Sequence, residues 1–306
     1  MRSLRDDTAL RLRQFLDSPR VLFWVPTLIW ASTWHVILYQ LAEVAPLNSV
    51  AWRFGLASIV LLAVAAARGE RWLLAPRWHG WLAATGVVQY SINYWGVYEA
   101  ERHVPSGLVA VLFSLMVFGN ALLGWRVFGQ PVSRRFVAAA VCGVIGVALI
   151  FWPELLATGS RPNAALGLGV GLLAVTCACI GNVMTLALSR RGLPLVPMLG
   201  WCMGYGALAL WALALVQGTA TRVGTSALWW GSLLYLSLAG SVVAFFAYFR
   251  FAQRVGPARA AMTGVTIPPI ALAISAALEG WRPNALSWLG VALSLGSVYV
   301  ATRRAV

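Results

Sequence analysis

The sequence predicts an all-α polytopic membrane protein: ten transmembrane helices in two inverted five-helix repeats around a central cavity, with both termini cytoplasmic. Three observations carry this. First, 60% of the residues are hydrophobic and only 10% charged, with a mean hydropathy of +0.77; a soluble domain carries roughly 25% charged residues. Second, apolar runs near the ~20 residues that a span requires recur at 21–41, 47–67, 79–99, 105–127, 134–152, 164–188, 195–217, 227–249, 257–278 and 284–302. Third, the longest interruption, Pro153 to Asn163, divides these runs five and five.

Taken in order, residues 1–20 form a cytoplasmic tail in which Leu4, Leu12, Phe15 and Leu16 alternate with Arg5, Arg11 and Arg13. That pattern predicts an interfacial helix lying on the membrane, and the charges of both signs exclude a signal peptide. The first repeat covers 21–152, an extracytoplasmic linker 153–163, the second, inverted repeat 164–302, and a cytoplasmic tail 303–306. Loops between spans are short and rich in Arg, Pro, Gly or Glu. The net charge of +14 comes from Arg alone. With the N-terminus inside, eighteen of the 23 Arg fall on the cytoplasmic side. Only Arg102, Arg161, Arg222 and Arg282 lie outside, with Arg53 inside the second span. This bias sets the orientation. The scattered charges suit lipid headgroups and give no nucleic-acid face.

A slide of 152 residues sets Gln89 on Ser241, Asn93 on Phe245, Tyr94 on Phe246, Pro105 on Pro257 and Ser114 on Thr266. Because five is odd, two such repeats cross the membrane in opposite senses, the plan of a transporter with its site between the halves.

The third span carries the chemistry. At 100° per residue, Gly86, Gln89, Tyr90, Asn93 and Tyr94 share one 140° face. Amides and phenols in hydrocarbon need partners, so this face looks into a cavity. Its counterpart is the stripe Ser237, Ser241, Phe245 and Tyr248. The first span adds Trp30, Thr33, Trp34 and His35. Asn182 in the sixth requires either an interhelical or a substrate partner. Stacking falls to Tyr90, Tyr94, Trp95 and Phe245, and polar contacts to Gln89, Asn93, Asn182 and Ser241, with Ser114 and Thr266 as further candidates. Pro268-Pro269 interrupts the ninth span and predicts a kink or a hinge bordering the cavity. Arg53, early in its span, is expected to snorkel outward, and the turn Glu99–His103 to form an external gate. No carboxylate falls near mid-membrane, where ion-coupled carriers place one. The expected substrate is therefore a neutral or zwitterionic small molecule with apolar bulk, moving downhill without an obligatory proton.

Other classes find little support. Cys142, Cys177, Cys179 and Cys202 sit in apolar runs without metal-ligand spacing, and the three His fall at separate places, so no metal or cofactor is expected. No catalytic or nucleotide motif is present, since Gly167-Leu-Gly-Val-Gly171 follows no strand. A channel filter is not visible either. Small residues Ala138, Cys142 and Gly146, with Ala292 and Gly296, predict close helix contact or a homodimer through spans five and ten.

Trp30-Ala-Ser-Thr-Trp34, Arg53, the Pro105 and Pro257 turns and Leu278-Glu279-Gly280, in this order across nearly the whole chain, resemble the EamA-type exporters of the drug/metabolite transporter superfamily. The Asn93-Tyr-Trp-Gly96 helix is similar to members that export aromatic amino acids across the bacterial inner membrane. The resemblance implies a cavity lined by helices 1, 3, 4, 6, 8 and 9, alternating access, and amino acids or similar metabolites as substrates. The alternatives are a broader drug/metabolite or nucleotide-sugar-type carrier and, in another class, a channel or scaffold. Gly129-Gln130 departs from the Gly-Glu pair frequent in the family, which leaves Glu279 without a symmetric counterpart.

Overall fold

The computed structural model describes residues 17–129, 133–156, 163–219, 222–255, 260 and 263–302, and every regular element among them is helical. The interfacial segment before residue 17, Gln130, Arg161, the Pro257 turn with Arg259, and the tail 303–306 lie outside the described residues. Ten spans follow in order among the described residues. They are α1 (Pro19–Leu41), α2 (Pro46–Ala67), α3 (Pro76–Gly86, Val87–Ile92 and Asn93–Glu101) and α4 (Ser106–Ser114 and Met116–Phe128). Then come α5 (Arg134–Leu156), α6 (Ala164–Arg190), α7 (Leu195–Val216) and α8 (Ala227–Leu234, Tyr235–Val243 and Ala244–Val255). The last two are α9 (Thr263–Leu278) and α10 (Ala285–Thr302).

Local chemistry sets the ends. Ser18 accepts the Val21 N–H at 3.4 Å ahead of Pro19, and Ser226 accepts that of Trp229 at 3.0 Å. Pro46 and Pro76 open their helices where an N–H would go unused. α4 closes on Gly129, whose φ of 68° suits glycine. α5 runs through Pro153 to Leu156, beyond the expected end, because a proline in the last turn forfeits only one backbone bond.

Among the described residues seven helices are long and apolar enough to cross a membrane, and α9 and α10 hold shorter apolar helices, Thr266–Leu278 and Ala285–Val300. α3 is not among the seven, because Gln89, Ser91, Asn93 and its tyrosines lower its hydropathy. Outward faces carry exposed apolar side chains such as Ile59, Leu208 and Val216, as lipid contact requires. The chain is a multi-pass membrane protein.

α3 and α8 share a second peculiarity. Each contains a π-helical segment, Val87–Ile92 and Tyr235–Val243, and the 152-residue slide makes them overlap, residues 87–91 falling on 239–243. Such segments leave carbonyls poorly paired and gather at functional sites. Here side chains fill the need: Asn93 donates to the Gln89 carbonyl at 3.1 Å, and Ser241 to the Leu236 carbonyl at 2.9 Å.

The most extensive helix pairs are α5 with α10 and α2 with α7. In the first pair a Cβ on Gly146 would lie 2.5 Å from the Ser294 nitrogen and 2.7 Å from the Gly290 carbonyl oxygen, so the backbones touch. The small residues expected at this contact divide. Gly146 meets Gly290 within the chain, whereas Cys142 is exposed and Gly296 faces open space. α3 and α7 approach as closely, where a Cβ on Gly86 would fall 2.2 Å from the Cys202 carbonyl oxygen.

Candidate functional site

The helices leave a cavity of about 820 Å³, its open mouth included, between α1, α2, α3, α4, α6, α8 and α9. An aromatic collar surrounds it. Trp30 meets Phe245 edge-on at 5.1 Å and Tyr248 at 5.3 Å, and Trp34 meets Phe113 at 5.1 Å. Trp30 is fixed by its indole N–H on the Gly240 carbonyl at 3.0 Å, which lies in the α8 π segment. α9 closes one side with Thr263, Gly264, Ile267 and Pro268.

Polar groups converge from four helices. Gln89 donates to Asn182 Oδ1 at 3.4 Å, and the Asn182 amide nitrogen reaches the Met116 sulfur at 3.3 Å. Gln89 Oε1, Asn93 Oδ1 and the Trp34 indole N–H are buried without a hydrogen-bond partner among the described residues. Groups of this kind carry a desolvation cost that a ligand can relieve.

The structure brings Gln89, Asn93, Tyr94, Asn182, Phe245 and Pro268 together on the cavity wall. The other expected residues lie elsewhere. Tyr90 packs behind the wall between Phe54 at 5.1 Å and Phe245 at 5.5 Å. Trp95 packs against the core of α3 and its neighbours. Ser114 donates to the Val111 carbonyl and faces Ser294 at 3.2 Å, on the α10 side of α4. Ser241 stands behind Arg53, Thr266 and Pro269 lie on α9 away from the lining, and Pro269 is exposed. Trp30, Thr33, Trp34 and Tyr248, singled out from their helix faces, line the cavity, as do Phe113 and Met116, which no polar signal marked. Of the six helices that the resemblance implies, all contribute, and α2 joins them through Arg53.

Two expectations about charge are corrected. Arg53 does not snorkel; it is 1% exposed and lines the cavity. Its Nε–H donates to Ser241 at 3.0 Å and its Nη1 to the Tyr98 hydroxyl at 3.4 Å, which in turn donates to Gln40 at 2.8 Å. Partners from α3 and α8 hold the side chain inward. Glu101, placed by sequence in the outer turn Glu99–His103, is the last residue of α3 and 6% exposed, with neither carboxylate oxygen hydrogen-bonded among the described residues. The rest of that turn is local, since Glu99 takes Arg102 at 3.0 Å and His103 at 3.2 Å.

Near this end of the molecule Glu279 ties three helices. It accepts the Ser106 N–H at 3.0 Å, the Ser106 hydroxyl, the Ser275 hydroxyl at 3.0 Å, and pairs with His35 at 3.1 Å. Glu43, between α1 and α2, binds the start of α8 through Ser226 and Thr225. Hydrogen bonds from Ser226 and then Thr225 hold its carboxyl below the usual carboxylate range. Across the molecule Asp17 pairs with Arg250 at 3.3 Å and with Arg254. Among the described residues no three His, Cys, Asp or Glu side chains gather as metal ligands would.

Comparison with known proteins accords with this geometry. The model of the EamA-like transporter family matches twice, over residues 20–152 and 165–303. The chain is similar to the uncharacterized transporter sll0355 of Synechocystis sp., 26% identical over 294 residues, 91% of this chain and 88% of the relative. It is also 26% identical to the uncharacterized inner membrane transporter YedA of Escherichia coli K12, over 96% of this chain and 93% of that one. Protein PecM of Dickeya dadantii is 26% identical over 82% of this chain and 80% of its own. One solved crystal structure shares the fold, with a TM-score of 0.68 at 19% identity over 94% of this chain and 96% of the other.

Proposed function

The chain belongs to the EamA-like transporter family, and on that premise we propose that it exports neutral amphipathic metabolites, foremost aromatic and other neutral amino acids, by alternating access. That it is a membrane transporter of the inner membrane follows from the family and from its relatives. The substrate reading rests on the cavity: a collar of Trp30, Trp34, Tyr94, Phe113 and Phe245 for an apolar body, beside the unsatisfied amide oxygens of Gln89 and Asn93.

Several subsidiary proposals follow from the same reading. No Asp or Glu is among the described lining residues, which supports transport without an obligatory proton. Both termini lie on the cytoplasmic side by the Arg count, with the repeats 21–152 and 164–302 oppositely inserted. A homodimer through α5 and α10 would use their outward faces, such as Val141, Ile145 and Trp288, because Gly146 and Gly290 already meet inside one chain.

The test is counterflow of labelled tryptophan and phenylalanine into proteoliposomes preloaded with unlabelled amino acid. Saturable exchange that persists when the proton gradient is collapsed is the expected result. A flux that never saturates points to a channel, and no flux with any amino acid removes the reading.

A further inference from the structure

Arg53 carries a full charge that the cavity of a carrier for purely neutral compounds would not need. The guanidinium is 1% exposed and all its described contacts are neutral. Ser241 and the Tyr98 hydroxyl take one N–H each, and Cζ lies 4.7 Å from the centre of the Tyr94 ring. Arginine has five N–H donors, so among the described residues most of the fork is left over, including both hydrogens on Nη2. Gly240 packs close to that nitrogen, since a Cβ there would stand 3.3 Å from it and 3.0 Å from Thr33.

An isolated buried cation is costly and is retained where an anion joins it. None of the described carboxylates does so. Among the described residues no acidic group lies within ion-pair distance of Arg53, and Glu101, near enough to be felt electrostatically, makes no hydrogen bond with it. Glu279 is committed to Ser106, Ser275 and His35. The open side of the guanidinium therefore belongs to the cavity, which Arg53 lines beside Tyr94, Asn93 and Trp34.

We infer that Arg53 binds the carboxylate of the transported molecule. This deepens the export reading and rests on it. The planar fork matches a carboxylate in a way that a lone ammonium does not. The aromatic collar takes the apolar body and the amides of Gln89, Asn93 and Asn182 take the remaining polar group. The substrate class then narrows to carboxylates, meaning α-amino acids and arylalkanoic acids. Amines, amides and esters of the same body are poor ligands, since they leave the buried cation unpaired.

The experiment uses the full chain in proteoliposomes and measures how four indole compounds inhibit tryptophan counterflow. Tryptophan and indole-3-propionate carry the carboxylate; tryptamine and tryptophanamide do not. A charge-assisted pair of this kind discriminates by about tenfold or more. Tryptamine and tryptophanamide should therefore inhibit at least ~10-fold less well than the two acids. In Arg53→Gln the four should become alike, whereas Arg53→Lys keeps the ranking at reduced affinity. Equal inhibition by tryptophan and tryptophanamide in the unaltered protein overturns the anchor and leaves the export reading standing. Absence of any saturable tryptophan exchange overturns both. Should Arg53→Gln fail to fold, the inhibitor series on the unaltered protein still decides the matter.

Discussion

Asn93→Leu separates a binding role from a structural one. Asn93 stands at the first position after the α3 π segment, and its amide nitrogen donates to the Gln89 carbonyl at 3.1 Å while its oxygen is buried and unpaired. Substituting Leu removes one hydrogen bond, worth about 0.5–1.5 kcal/mol net. It also removes a buried unsatisfied acceptor, whose desolvation costs about 1–3 kcal/mol. These oppose each other, so at their central values stability should change by only ~1 kcal/mol, or about 2–4 °C in melting temperature. Transport should respond differently, because the oxygen that leaves is one that a substrate donor would satisfy. Losing one such bond, about 1 kcal/mol, weakens exchange about fivefold. Counterflow of labelled tryptophan and thermal melting in detergent give the two numbers from one preparation. Unchanged exchange at unchanged melting temperature would refute the assignment of Asn93 to the binding surface. A fall well beyond 4 °C would show instead that the π segment depends on its side chain.

Further outcomes follow from the packing and the charges. Gly86→Ala places a methyl group 2.2 Å from the Cys202 carbonyl oxygen, so α3 and α7 must part; a loss of about 2 kcal/mol or more is expected, and an unshifted melting temperature would contradict the close approach. Glu101→Gln should melt at the same or a higher temperature, because the carboxylate it replaces has no described hydrogen bond; a drop of several degrees would expose a missing partner. Glu43 has a lowered pKa in the folded chain, so its contribution is present above the ordinary value of 4.5 and is lost as pH falls through the lowered one. Backbone protection at residues 225–229 should accordingly decline below pH ~4.5, and Glu43→Gln should remove that part of the pH dependence; an identical profile in the variant would contradict it.

Much of this architecture was legible in the chain because a membrane simplifies the code. An apolar run of span length has few alternatives, and Pro46, Pro76, Ser226 and Gly129 stop or start helices by local chemistry. The amides at 89 and 93 stood out for the same reason, being polar where polarity is costly. What stayed hidden depended on contacts distant in sequence. Whether Arg53 points to water or inward is decided by Ser241 and Tyr98, 188 and 45 residues away. Hydropathy reads Glu101 as a loop, since nothing local announces that other helices cover it. Tyr90 shares its helix face with Asn93 on an ideal helix, yet the rings of Phe54 and Phe245 enclose it. Phe113 and Met116 carry no polar mark, so only the assembled walls identify them.

The glycine crossing of α5 on α10 constrains how such a molecule can move. α5 lies in the first half of the chain and α10 in the second, and their backbones touch at Gly146 and Gly290 with no side chain between them. α2 and α7 are likewise joined across the halves, by Ser58 on the Gly200 carbonyl at 2.8 Å and by Trp211 filling the space beside Gly55. Sequence repeats are units of descent, but these seams make them poor units of mechanics. In the alternating access proposed above, each seamed pair would travel as one body. The parts that turn against each other in that cycle would then be mosaics drawn from both repeats, not the repeats themselves.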